Sequence, residues 1–128
     1  MSNFTFKTPP HDNLSVPLVE HITKLYKEIY QLGKKASKQD RFGLLAKTEL
    51  LILNCLELSL EATYSRPDDK IRILNRLQIK IEVFKRLARL AGDLKIIEQA
   101  QYLSLAQQGI TISKMTAGWL KYLDQKNR

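Results

Sequence analysis

The chain has 128 residues, 44% of them hydrophobic and 27% charged, a length that suits one domain and a balance that excludes an intrinsically disordered protein. Its richest apolar stretch, residues 50–60, is interrupted by Asn54, Glu57 and Ser59, too short and too polar for a membrane span. The formal net charge of +8 and the pI near 9.7 point outside the molecule, to nucleic acid, provided the charge is clustered.

Residues 1–14 carry no apolar core of a signal peptide and are expected to form a flexible segment ahead of a single domain over residues 15–128. The reading is a cytoplasmic protein. The first helix is expected over about residues 15–36, with Ser15 as cap and Pro17 in the first turn, where no amide donor is needed. Leu18, Ile22, Leu25, Ile29 and Leu32 step by three and four, one stripe for burial.

Ser37, Lys38, Gln39 and Asp40 form a variant capping box that opens a second helix reaching about residue 64. Its centre, LLILNCLELSL, is apolar on more than one face. Such a helix is either the most buried of the set or also faces another subunit. Cys55, the only cysteine, sits inside that run with no cation within four residues to activate it, and reads as a small buried hydrophobe.

Pro67 breaks the chain, and Asp68 and Asp69 suit the positive end of a third helix that reaches about residue 91 and is closed by Gly92. Its buried stripe reads Ile71, Leu74, Leu77 (or Gln78), Ile81, Phe84, Ala88 and Ala91. A fourth helix starts between residues 93 and 98 and ends near residue 123, with Leu103, Ala106, Ile110, Ser113, Ala117 and Leu120 on one line. Four long helices joined by short turns make an all-α protein, and the simplest arrangement is an antiparallel up-down-up-down four-helix bundle.

The charge is uneven. Residues 66–92 hold eight basic and three acidic residues, a net +5, more than any other quarter of the chain. Arg72, Arg76 and Lys80 lie four apart and stack along one solvent-facing line. Lys85 and Arg89 repeat the spacing further round, with Arg86 between them. Like charges at this spacing repel, and no carboxylate stands within the line, so a polyanion is the natural partner, the alternative being a solvated helix face that keeps the bundle soluble. Arginine forks match phosphate oxygens. The line contains no aromatic side chain, so charge and shape, not base stacking, are the expected mode of recognition.

Catalytic chemistry is not in evidence. His11 and His21 have no metal-like neighbours, and no phosphate-cradling glycine loop, HExxH or nucleophile elbow occurs. No enzyme activity, cofactor or metal is expected.

Two segments go further. Ser37-Lys38-Gln39-Asp40-Arg41-Phe42-Gly43-Leu44 is a basic turn entering an Arg-aromatic-x-Leu helix start, and the apolar run behind it ends in Glu61-Ala62. Near the C-terminus stands Ile110-x4-Met115-Thr116-Ala117-Gly118-Trp119-Leu120-Lys121. In order and separation these segments resemble the bacterial four-helix-bundle family that includes the accessory variability determinant (Avd) proteins of diversity-generating retroelements. The same family takes in proteins encoded in intervening sequences of large-subunit ribosomal RNA genes. Over residues 18–123 the chain departs from the family pattern at Ser37, Asp40 and Ala117, where proline, glutamate and glycine are usual.

The resemblance implies a homopentameric barrel of four-helix bundles with a positive surface. It also implies that the protein partners a retroelement reverse transcriptase and its template RNA in mutagenic cDNA synthesis without being a polymerase. Lys38 and Arg41 of the basic turn join the candidate nucleic-acid contacts, Arg41 serving equally well as a cap or ion pair. DNA and RNA–DNA hybrids are further candidate ligands. Gly118 is expected to allow a close helix approach with Trp119 packed across it. Two rival functions remain: a scaffold whose basic face meets an acidic protein, and the ribosomal intervening-sequence branch.

Overall fold

The computed structural model describes residues 14–126. The segment expected to be flexible therefore lies outside the described residues except for Leu14, as does His11. Helices are the only regular elements among the described residues, with α1 at Ser15–Lys35, α2 at Lys38–Phe42, α3 at Leu44–Thr63, α4 at Pro67–Asp93 and α5 at Gln99–Lys126. α1 packs on α3, α3 on α4, α4 on α5 and α5 on α1. Four helices thus ring one core, and each needs a buried stripe facing two neighbours.

α1 buries Leu18, Ile22, Leu25 and Ile29 completely, the stripe its spacing requires. Ser15 is the first helical residue and not the cap; Leu14 takes that position with no side-chain hydrogen bond. Lys34 and Lys35 close the last turn, against the negative end of the helix dipole.

The second expected helix is two helices. Ser37 caps α2 as its sequence requires, its Oγ accepting the Asp40 amide at 3.2 Å, but α2 stops after five residues at Gly43. There the backbone turns to φ −98° and ψ −113°. A Cβ at this position would stand 2.8 Å from the Gln39 carbonyl oxygen, so glycine permits a break that any side chain would force open. No residue of α2 is buried.

α3 turns Leu45, Ile52, Cys55, Leu58 and Ala62 inward yet leaves Leu50 60% and Leu60 40% exposed, so its apolar surplus is real. Thr48, Thr63 and Ser59 are buried as well. Their hydroxyls donate to the carbonyls of Leu44, Ser59 and Leu56 at 2.8 Å, which satisfies them within the helix. The last turn of α3 has no basic residue of its own. Lys70 of α4 supplies one: 4% exposed, it donates from Nζ to the carbonyls of Ala62 at 2.8 Å and Thr63 at 2.9 Å.

α4 buries Leu74, Leu77, Ile81, Phe84, Ala88 and Ala91 as expected, but near its start it buries Ile73 where Ile71 was expected, and Ile71 is only half-buried. It runs past Gly92 to Asp93, and the left-handed residue that ends it is Lys95, at φ 60°. The Ile96 amide donates to Ala91 at 2.9 Å and the Lys95 amide to Gly92 at 3.0 Å, the hydrogen-bond pair of a Schellman motif. A side chain in that conformation costs roughly 1–2 kcal/mol.

α5 is rotated from its expected phase. It buries Leu105, Gly109, Ile112, Thr116, Trp119 and Leu123, while Leu103 and Ile110 of the expected line are 55% and 40% exposed. Both lines have helical spacing, and they differ by about one residue, or 100°. Trp119, the largest fully buried side chain, decides between them. Gly118 then faces away from the core, with no atom within 4 Å of a Cβ placed there, so the close approach expected at Gly118 is absent. The close approach is at Gly109 instead, where a Cβ would meet Phe84 and Lys85 at 3.3 Å. Gly118→Ala should therefore raise stability by up to about 1 kcal/mol, the helix-propensity difference, read as a higher urea midpoint. A lower midpoint would restore the packing role.

Candidate nucleic-acid interface

On α4 the exposed line is Arg72, Arg76, Ile79, Val83, Arg86 and Leu90, rising alternately by four and three. It mixes arginines with apolar side chains: Ile79 is 65% exposed and Val83 44%. Lys80 and Lys85 do not lie on that line. Residues four apart precess by about 40° round a helix, so the series Arg72, Arg76, Lys80 turns toward α3. There Lys80 is half-buried and its charge is felt by the Cys55 thiol. Lys85 is half-buried on the other flank, where its stem lies over Gly109 of α5. The two lysines are about 140° apart, and Arg89 lies nearer Lys85.

Three of the six residues are paired with carboxylates, contrary to the expectation of an unrelieved line. Arg72 meets Asp69 at 3.5 Å, Lys85 meets Glu82 at 2.9 Å and Arg89 meets Asp93 at 3.5 Å. Such exposed pairs are worth about 0–1 kcal/mol, so a phosphate can displace them. Arg76, Lys80 and Arg86 have no ion pair among the described residues. With Lys70 buried, α4 offers solvent six basic residues against Asp68, Asp69, Glu82 and Asp93. That is a surplus of +2 on α4 itself; residues 66–92, which include the exposed Arg66 ahead of the helix and leave out Asp93, keep +4 of their +5 once Lys70 is set aside.

The fold adds what the helix lacks. Tyr102 of α5 comes beside Arg86 and Arg89, and the three line a groove of about 570 Å³ together with Lys85, Leu90 and the carboxylates Glu82 and Asp93, which pair with Lys85 and Arg89. It continues past Gly92 into a second hollow of about 620 Å³ that Lys95, Ile96 and Ile97 also line. An aromatic ring next to arginines suits base stacking, and spacing along one helix had no way to reveal a ring supplied by another.

The basic turn is a second concentration. Residues 34–47 hold Lys34, Lys35, Lys38, Arg41 and Lys47 against Asp40 alone, a net +4. Lys38 and Arg41 are both exposed. Arg41 makes no ion pair among the described residues and lies over the Phe42 ring, Cζ to centroid 5.6 Å. Lys34 and Lys35 extend the cluster from the end of α1, where a count divided between helices separates them from Lys38.

Burial pushes the Cys55 thiol up to about 12 while Lys80 opposes the rise, so this cysteine is a neutral core residue at physiological pH. The Tyr26 phenol is also raised, by desolvation first and then by Glu49, whose carboxylate accepts its hydroxyl at 3.3 Å. Among the described residues no group of three His, Cys, Asp or Glu side chains could hold a metal ion, and no helix is long and apolar enough to cross a membrane. No protein-family model matches the chain, and no curated protein matches it as a relative.

Proposed function

We propose that the chain is a non-catalytic, cytoplasmic accessory protein of the Avd kind, an up-down-up-down four-helix bundle that assembles as a homopentamer. In this reading it binds template RNA, and DNA or a hybrid during synthesis, and holds them to the reverse transcriptase of a diversity-generating retroelement. The observation that carries the reading is the exposed face of α4, where Arg76 and Arg86 stand without carboxylate partners among the described residues and Arg86 also lines a groove with Tyr102. The exposed leucines of α3 are apolar surface of the kind a neighbouring subunit covers.

The test is the joint replacement of Arg72, Arg76, Lys80 and Arg86 by glutamate. RNA affinity should fall at least a hundredfold at moderate salt, and the log–log salt slope should flatten by about 3, close to one phosphate contact per residue. Retroelement cDNA synthesis should fall with it. Circular dichroism is expected to be unchanged, because none of the four side chains belongs to the core. Intact RNA binding and cDNA synthesis in the folded variant would reject the proposal.

The interleaving of Ile79, Val83 and Leu90 with the arginines favours one rival, an acidic amphipathic helix as the partner of this face. Direct comparison of structured RNA with an acidic polypeptide separates them, since the scaffold reading requires no preference for RNA.

A further inference from the structure

We propose that the end of the molecule formed by the α1–α2 turn and α2 binds single-stranded nucleic acid, with Phe42 as the stacking platform for a base and Lys34, Lys35, Lys38 and Arg41 as its phosphate contacts. The inference rests on the nucleic-acid reading above and adds a second, chemically different surface to it.

Three observations meet at this end. The first is charge: the net +4 of residues 34–47 matches what residues 66–92 keep with Lys70 buried, in about half the length of chain, and Asp40 is the one acidic residue within it. Glu49, the next carboxylate along, is engaged by the Tyr26 hydroxyl. The second is α2 itself. It buries no residue, so it adds nothing to the core, yet it is shaped by a serine cap at one end and by a glycine that no other residue can replace without a backbone clash at the other. Its side chains are all available to a ligand.

The third is the pairing of aromatic rings with cations. Phe42 is 67% exposed with the Arg41 guanidinium 5.6 Å from its centroid. Tyr30 is 44% exposed, stacks on Tyr26 and carries the Lys34 ammonium 6.0 Å from its centroid. A ring with a cation beside it serves both halves of a nucleotide, the π-face taking the base and the cation its phosphate. A duplex keeps its bases stacked on each other and presents only grooves and backbone, whereas a single strand can lay a splayed base on a protruding ring. The occupant is therefore a strand end or an unpaired loop. The same end is beside the α4–α5 turn, since Lys35 and Ala36 line a hollow with Ile96 and Ile97.

The experiment compares Phe42→Ala and Phe42→Trp with the unaltered chain, using a fluorescein-labelled RNA single strand and a duplex of the same length. Fluorescence anisotropy should show Phe42→Ala binding the single strand about tenfold or more weakly, with duplex affinity changed less than twofold. In Phe42→Trp the single strand should bind at full affinity and quench the new indole, whereas Trp119 is fully buried and stays silent. An unchanged single-strand affinity in Phe42→Ala overturns the proposal, as does equal loss for both forms. So does a Phe42→Trp indole that answers to phosphatidylserine vesicles but not to the strand, which would assign the surface to a membrane. A fall in sedimentation mass in Phe42→Ala, without selective strand loss, would assign it to a second copy. Failure here with the α4 glutamate variant still defective leaves the α4 reading standing, and the reverse result removes α4 while keeping this site.

Discussion

Replacing Lys70 with methionine is expected to destabilise the protein by about 2–4 kcal/mol while leaving RNA affinity unchanged. Methionine keeps the apolar stem and removes the ammonium. Two effects then compete. The lysine no longer has to be desolvated, which favours the variant, but the carbonyls of Ala62 and Thr63 lose the donor that meets them at 2.8 and 2.9 Å. Removing the ammonium takes the charged donor from the Thr63 carbonyl and leaves Ala62 to the long Ser65 amide bond at 3.4 Å, and that cost exceeds the relief. The carbonyls also form the negative end of α3, which has no basic residue in its own last turn. The ammonium lies 5.8 Å from the Trp119 ring centroid, so the same change removes a cation–π contact inside the core. A urea titration should show a lower midpoint at constant slope. A loss below about 0.5 kcal/mol would mean that water replaces the ammonium without cost.

The prediction separates two kinds of charge that look alike in the sequence. Lys70 and Arg72 are neighbours in one basic helix, yet Lys70 is 4% exposed and works inward while the Arg72 side chain is 61% exposed and faces solvent. Net charge along a segment counts them equally. Their difference depends on where α3 ends, a fact of tertiary structure.

The stripes of α1 and α4 were legible because the rival face of each is broken by charge, on α4 by Arg72, Arg76 and Arg86 among Ile79, Val83 and Leu90, so Leu18 to Ile29 and Leu74 to Ala91 were the continuous apolar lines. α5 has two candidate faces about 100° apart, and spacing alone cannot choose between Leu103–Ile110 and Leu105–Ile112. The choice falls to the volume of Trp119, which must find a place in the core. Gly43 was silent for another reason: a glycine inside an apolar helix costs about 1 kcal/mol relative to alanine but does not by itself end the helix. Only the clash with the Gln39 carbonyl shows why the chain breaks there. On the candidate site, the exposure of Arg72, Arg76 and Arg86 followed from their spacing. Lys80 drifts to one flank by the 40° step that each four residues add, and Lys85, five residues further on, falls about 140° from it on the other. Tyr102 and Lys95 reach the groove from α5 and the turn before it, beyond any one-helix pattern.

Gly109→Leu should be the most damaging substitution on α5, costing about 3 kcal/mol by overpacking. The first added carbon already stands 3.3 Å from Phe84 Cε2 and 3.3 Å from Lys85 Cγ. The lysine stem can swing toward solvent, but Phe84 is fully buried and has no free volume to move into in a close-packed core. Further carbons of leucine must therefore separate α4 from α5 at this point. Gly109→Ala sets the same contact against a helix-propensity gain of about 1 kcal/mol, and the gain should be cancelled. Two glycine-to-alanine changes nine positions apart on one helix thus differ in outcome, Gly118→Ala raising the urea midpoint and Gly109→Ala leaving it level or lower. Equal stabilisation by both would show that α5 does not press on Phe84. Because the Lys85 stem lies on Gly109 and Lys85 also lines the groove, Gly109→Leu should also weaken RNA binding at temperatures where the variant is still folded, a loss that Gly109→Ala should not share.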